Sequence, residues 1–184
     1  MWYMRKTTRI TLIFGGLMAV VLAGCGSPAP SPSEAPTDGW RVSKEPGAIV
    51  ASRPSAASFE DSTHGKRTPE LRLVCNPNLY FVYLDFGTGE PVEPGAVGAG
   101  ATVSYAIDGG PSVLAKAVHV ARERLWIRDA GLMPKIFSGH TMALEFRPFE
   151  GSGVVRSSFS LDGLAPAVRN QGEGCFDPLI AGKN

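Results

Sequence analysis

From residue 40 onward, apolar residues recur at every second position through much of the chain, and this period limits the possible folds more than any other feature. Successive side chains of a strand point to opposite faces, so alternation marks strands with one face buried and the other in water. Leu71, Leu73 and Cys75 alternate with Glu70, Arg72 and Val74. The aromatic-rich run Leu79 to Phe86 follows, and Asn76-Pro77-Asn78 between the two carries turn chemistry, which makes them neighbouring strands. Val103, Tyr105 and Ile107 alternate with Thr102, Ser104 and Ala106 and stop at the strong turn signal Asp108-Gly109-Gly110-Pro111. Met142, Leu144 and Phe146 alternate with Thr141, Ala143, Glu145 and Arg147, and Val155, Phe159 and Leu161 with Arg156, Ser158 and Ser160. Gly151-Ser152-Gly153 separates these last two strands, which predicts a terminal hairpin.

The segment Val113 to Ile127 fits both periods. Leu114, Val118, Ala121 and Leu125 would share a helical face, whereas Val118 and Val120 suit a strand, and strand is the reading adopted. Two short helices are expected: Asp129 to Ser138, with Leu132, Ile136 and Phe137 on one side, and Asp162 to Gln171. Pro134 and Pro166 each suit a first helical turn. The expected fold is mainly β, an antiparallel β-sandwich-like domain with one or two short helices over an end or edge.

Before residue 40 the composition changes. A basic start from Met1 to Arg9, an apolar run from Ile10 to Val21 and small residues after it are the three parts of a secretory leader. The apolar run is shorter than the roughly 20 residues a membrane helix needs, and Gly15 and Gly16 interrupt it. An uncleaved anchor helix is the alternative. Leu22-Ala23-Gly24-Cys25 resembles a bacterial lipobox. That resemblance implies a signal peptide over residues 1–24, cleavage before Cys25, and lipid on Cys25 as the mature N-terminus. Bacterial lipoproteins carry several acyl chains, and stable attachment needs more than one. Gly26 rather than Asp follows the cysteine, which in lipoproteins of two-membrane bacteria implies an outer-membrane anchor facing the periplasm. Residues 25–39 are then the lipidated cysteine and a Pro/Ser-rich tether, extended at about 3.1 Å per residue. The β domain is expected over 40–178, with a C-terminal tail at 179–184.

Loss of Arg5, Lys6 and Arg9 with the leader leaves 15 basic against 17 acidic residues, a net of −2. Neither nucleic acid nor an anionic surface is implied as a partner. With Cys25 assigned to lipid, Cys75 and Cys175 remain as an even pair in an oxidising compartment, and a disulfide is expected. It would close a loop of about 100 residues, worth about 4.7 kcal/mol in the chain-entropy account. Two thiols with no neighbouring His or Cys make an incomplete metal set.

Trp40, Leu71-Arg72-Leu73-Val74-Cys75, Val103-Ser104-Tyr105-Ala106-Ile107-Asp108-Gly109-Gly110 and Phe159-Ser160-Leu161-Asp162-Gly163-Leu164, in that order before Cys175, carry a resemblance. Together they resemble the cysteine-paired β domain of VasI-type accessory proteins of type VI secretion systems. The resemblance implies a stapled β scaffold in the cell envelope and brings no reaction centre with it.

No catalytic constellation is expected. His64, His119 and His140 stand apart from one another and from the cysteines, so no metal is expected, nor any other cofactor. Ser157, Ser158 and Ser160 lack the Gly-x-Ser-x-Gly setting of a nucleophile elbow. Gly87-Thr88-Gly89 and the glycines from Gly95 to Gly100 have no following Gly-Lys-Ser/Thr, so they cradle no phosphate. The densest basic stretch, Lys116, Arg122, Arg124 and Arg128, could face acidic cell-wall polymer or lipid head groups, but Glu123 and Asp129 break it and an ordinary solvated face is the preferred reading. The expectation is a non-enzymatic, lipid-anchored envelope protein that binds an unidentified envelope protein, a secretion-system component or an enzyme it inhibits. Arg124, Trp126 and Arg128 are the candidate contact residues. The same trio also reads as a core tryptophan flanked by solvated arginines. The alternative function is a cell-wall-active hydrolase in which Asp85, Asp108, Glu145 and His140 converge.

Cys25→Ala is expected to release the exported protein from membranes while leaving the domain folded, because the tether separates anchor from core. Fractionation checks it; a variant that still sediments with membranes after a high-salt wash identifies the leader as an uncleaved span.

Overall fold

The computed structural model describes residues 39–61, 65–77, 79–86, 98–121, 123–147, 153–171 and 173–181. The leader, Cys25, the tether to residue 38, His64, Asn78, Gly87-Thr88-Gly89, Gly95, Arg122 and Gly151-Ser152 lie outside them. Eleven strands and three helices are described: β1 Arg41–Glu45, β2 Ala48–Pro54, β3 Phe59–Asp61, β4 Gly65–Arg67, β5 Glu70–Asn76, β6 Leu79–Asp85, β7 Gly100–Ile107, β8 Val113–Ala121, β9 Arg124–Arg128, α1 Leu132–Ser138, β10 Thr141–Phe146, β11 Val155–Ser160, α2 Leu164–Gln171 and α3 Asp177–Ala181.

Nine strands form one antiparallel sheet in the order β1-β2-β5-β6-β9-β8-β7-β10-β11, with β3 and β4 a separate hairpin. The strands β7, β8 and β9 pair as a meander, and β6 lies beside β9 rather than beside β7, a Greek-key arrangement. The sheet bends far enough that the segment just after β2 reaches its last strand. Ala56 N–H donates to Ser158 C=O at 2.9 Å, and Ser55 Oγ donates to the same carbonyl at 3.3 Å. This bent, nearly closed sheet gives the sandwich-like core that the alternation predicts.

The alternation sorts side chains as expected. Leu71, Leu73, Cys75, Val82, Leu84, Leu125, Ile127, Val103, Tyr105, Met142, Leu144, Phe146 and Phe159 all face the core. Leu132, Met133, Ile136 and Phe137 of α1, Leu164 and Val168 of α2, and Ile180 of α3 fill it from the helical side. Both expected helices form, beginning two or three residues later than the sequence suggested, with Pro134 and Pro166 in their first turns. The segment read as one strand from Val113 to Ile127 is a hairpin of two, turning at Glu123. The expected β5–β6 pairing and the terminal β10–β11 hairpin are present.

Asp108 and Gly109, both at positive φ, make the turn after β7, with Gly110 N–H donating to Ile107 C=O at 2.9 Å. Positive φ at both central residues is what a type I′ turn requires, and Asp and Gly tolerate it. The third helix, α3, was not anticipated. It carries Ile180 into the core.

Cys75 and Cys175 are bonded, with their Cα atoms 6.1 Å apart, tying the end of β5 to the turn before α3. Around the bond, Phe176 packs against Tyr80 at 6.3 Å and Phe137 at 5.6 Å between ring centroids. Tyr80 Oη donates to Cys175 C=O at 3.3 Å. The staple and this aromatic group together hold a five-residue helix that is too short to be stable by itself. Replacing both cysteines with alanine is expected to lower the unfolding free energy by about 2–5 kcal/mol, read from urea denaturation of oxidised native and variant protein.

Candidate functional site

The outward face of the central strands is the most distinctive surface in the described structure. Alternation that sends Val82 and Leu84 inward sends Phe81, Tyr83 and Asp85 outward, and β9 likewise presents Arg124, Trp126 and Arg128. Register places Tyr83 opposite Trp126 and Asp85 opposite Arg124. Phe81 stacks on Tyr83 at 5.9 Å and meets Trp126 edge-on at 5.6 Å. The guanidinium of Arg128 lies over the Trp126 ring, 5.1 Å from its centroid, a cation–π contact. Phe81, Tyr83 and Trp126 are each half-buried, so Trp126 belongs to an external aromatic cluster and not to the core. Burial pushes the Tyr83 hydroxyl up in pKa, with the charge of Arg124 opposing it.

Arg124 and Arg128 play different parts. Arg124 donates from Nε and Nη2 to Asp85 Oδ2 at 2.9 and 2.6 Å. Arg72, opposite Tyr83, adds Nη1 at 3.9 Å from that oxygen and also pairs with Glu45. Asp85 is thus the hub of a charge network that knits β5, β6 and β9. Arg128 is exposed and has the ring as its partner; Lys116 of β8 stands directly opposite it in register.

The four residues of the hydrolase alternative do not share one place. Asp85 sits on the outer sheet face, and Glu145 accepts from Arg156 Nε at 2.6 Å on β10. Only Asp108 and His140 meet: Asp108 Oδ1 accepts the backbone N–H groups of His140 at 2.8 Å and Thr141 at 2.7 Å. Those bonds, that of Thr141 foremost, hold the Asp108 carboxyl below the usual carboxylate range. The His140 ring turns the other way, its Nδ1 2.9 Å from Asp162 Oδ1 at an exposed site. Among the described residues no three of His, Cys, Asp and Glu are grouped to hold a metal ion. No described helix is long and apolar enough to cross a membrane.

A further polar group lies at the mouth of the core. Tyr105 Oη donates to Asp129 Oδ2 at 2.6 Å, and Asp129 Oδ1 accepts Gly131 N–H at 2.8 Å ahead of α1. Lys135 Nζ is 3.4 Å from Tyr105 Oη. Burial, followed by the bond to Asp129, raises the Tyr105 pKa strongly, while the Tyr105 bond is the chief cause lowering that of Asp129. A tyrosine acting as an acid needs the opposite shift, so this group fits a structural clamp. Sequence reasoning missed Phe81, Tyr83 and Lys116 as parts of the outer cluster. Alternation put them on faces, yet nothing local indicates that β6 pairs with β9.

No family profile matches the chain, and no curated protein matches it in sequence. Among solved structures it is similar to the crystal structure of invasion associated protein B from Bartonella henselae, at 12% identity and a TM-score of 0.41. That likeness covers 77% of this chain and 96% of the other. At that level the likeness carries no functional inference, and function is argued from the surface alone.

Tyr105→Phe is expected to raise the Asp129 pKa towards its ordinary value, visible by carboxyl NMR titration, and to cost about 1 kcal/mol at neutral pH. Asp129 stabilises the native fold above about pH 4 and loses that contribution as pH falls through its lowered pKa, so the variant's acid-side slope shrinks. Tyr105 contributes below about pH 10 and the native protein loses this as pH rises further, a loss the variant lacks.

Proposed function

We propose that this chain is a non-enzymatic, lipid-anchored envelope protein whose β domain binds a protein partner through the outer face of β6 and β9. The observation that carries the reading is the aromatic cluster Phe81, Tyr83 and Trp126, half-buried, packed ring on ring and topped by Arg128. Tyr, Trp and Arg are the residues that dominate binding energy at protein interfaces. Held on central strands, they lose little freedom when a partner docks, which is where rigid surfaces gain affinity. The lipobox-like Leu22-Ala23-Gly24-Cys25 supports lipid on Cys25 and an outer-membrane anchor facing the periplasm. The VasI-like motifs support a secretion component as one class of partner, and an enzyme to be inhibited is another.

A photo-crosslinking residue at Tyr83 of the full-length exported protein is expected to give one discrete adduct in intact cells. The adduct should be lost with Trp126→Ala, and the same residue at Arg156, on another part of the sheet, should not give it. Purified protein is expected to leave peptidoglycan uncut. Cleavage that disappears with Asp85→Ala or Asp108→Ala would replace this reading with the hydrolase.

A further inference from the structure

We propose that Lys116 and Arg128 form an acceptor for the carboxylates of an acidic, leucine-bearing protein segment; the proposal rests on the protein-binding reading above and specifies its partner's chemistry. The two cations are directly opposite each other on β8 and β9, and both are exposed. Like charges in that position destabilise a sheet. Their neighbours on the same face are Thr102 opposite Lys116, Phe81 beside Arg128, and Val118 and Trp126 one step along the strands. None of these is a carboxylate. On the same face Arg72 and Arg124 do meet one, Asp85. Among the described residues, the repulsion between Lys116 and Arg128 is left for an external anion to relieve.

The site is also shaped for its ligand. The Arg128 guanidinium is seated over the Trp126 ring, and Phe81 packs against Trp126. A guanidinium seated in this way offers its N–H groups to a carboxylate as a fork, with Lys116 on the neighbouring strand, about 5 Å away from backbone to backbone. A glycan is the less fitting anion. Sugars stack on open aromatic faces, and Arg128 covers this one. Leu114 is 76% exposed on the same side of β8 as Lys116, giving apolar contact beside the two charges. Because β8 and β9 are interior strands, the partner docks by side chains rather than by adding a strand.

The test uses the full-length protein and a fluorescein-labelled peptide rich in Glu with two Leu residues, read by anisotropy. Binding is expected to weaken with salt, to vanish when Gln replaces every Glu, and to fall about threefold to fivefold for Lys116→Gln or Arg128→Gln and roughly tenfold for both. Arg156→Gln should leave it unchanged. Equal binding by the native chain and the double variant overturns the proposal, as does stronger competition from polygalacturonate or phosphatidylglycerol vesicles than from unlabelled peptide. If the Tyr83 adduct forms while the double variant binds the peptide normally, this inference falls and protein binding stands. If no adduct forms yet the peptide needs both cations, the acceptor site stands and the reading of the native partner falls.

Discussion

The pairing of β6 with β9 is the seam on which the whole sheet depends. On one side of it lie β1, β2, β5 and β6, and on the other β9, β8, β7, β10 and β11. Each group is built from antiparallel neighbours, and only Val82 to Asp85 against Arg124 to Ile127 joins them within the sheet. Both faces of the seam are engaged. Inward, Val82 meets Ile127 and Leu84 meets Leu125, all nearly inaccessible to water. Outward, Tyr83 meets Trp126 and Asp85 meets Arg124. Cross-strand pairs of these kinds each contribute a few tenths to about 1 kcal/mol. Their larger effect is to fix register, since a slip of one residue would send Leu84 and Leu125 to water.

A buried ion pair closes one end of this seam. Arg67 of β4 donates to Glu123 Oε1 at 2.8 Å and to Phe86 C=O at 2.9 Å, with the two charged side chains 4% and 8% exposed. Phe86 N–H in turn donates to Glu123 C=O at 2.9 Å. Desolvation makes such a pair a weak source of net stability, although removing one partner strands a buried charge. Its contribution is geometric. It locks the β3–β4 hairpin, the end of β6 and the β8–β9 turn to one point, and so sets where the seam begins.

The faces of the strands were legible from the sequence because side-chain period is a local property. The disulfide was legible because parity and compartment leave few choices. What stayed hidden is what depends on distant residues. The turn at Glu123 carries no Gly, Pro or Asn, and it is held instead by Arg67 and Phe86 from elsewhere in the chain. β1 shows no alternation, since Arg41, Ser43, Lys44 and Glu45 are all exposed along an edge. Such charged edges discourage pairing with other chains. The helix α3 has five residues and no periodic pattern, and forms because the Cys75–Cys175 bond and the Phe176 packing place it. The trio Arg124, Trp126 and Arg128 was visible as a composition, yet its division of labour was not: only the seam brings Asp85 to Arg124 and leaves Arg128 to Lys116.

That division bears on the chemistry the surface can support. A carboxylate that acts as general acid or base must be able to exchange its proton with substrate. Asp85 is held by Arg124, with Arg72 beside it, and Glu145 is engaged by Arg156, so both carboxylates already have cationic partners on the protein. Beside β8 and β9, Asp85 is neutralised in place by Arg124, while Lys116 and Arg128 keep no acid between them, so the charge left over there is positive. Such a patch gains from meeting a negative group. The aromatic cluster beneath Arg128 adds direction, since it seats the guanidinium over the Trp126 ring before any partner arrives. Rigidity of the central strands, charge left over by the ion-pair network, and exposed Leu114 beside it converge on the same small area of β8 and β9, and it is there that the fold and the proposed function meet.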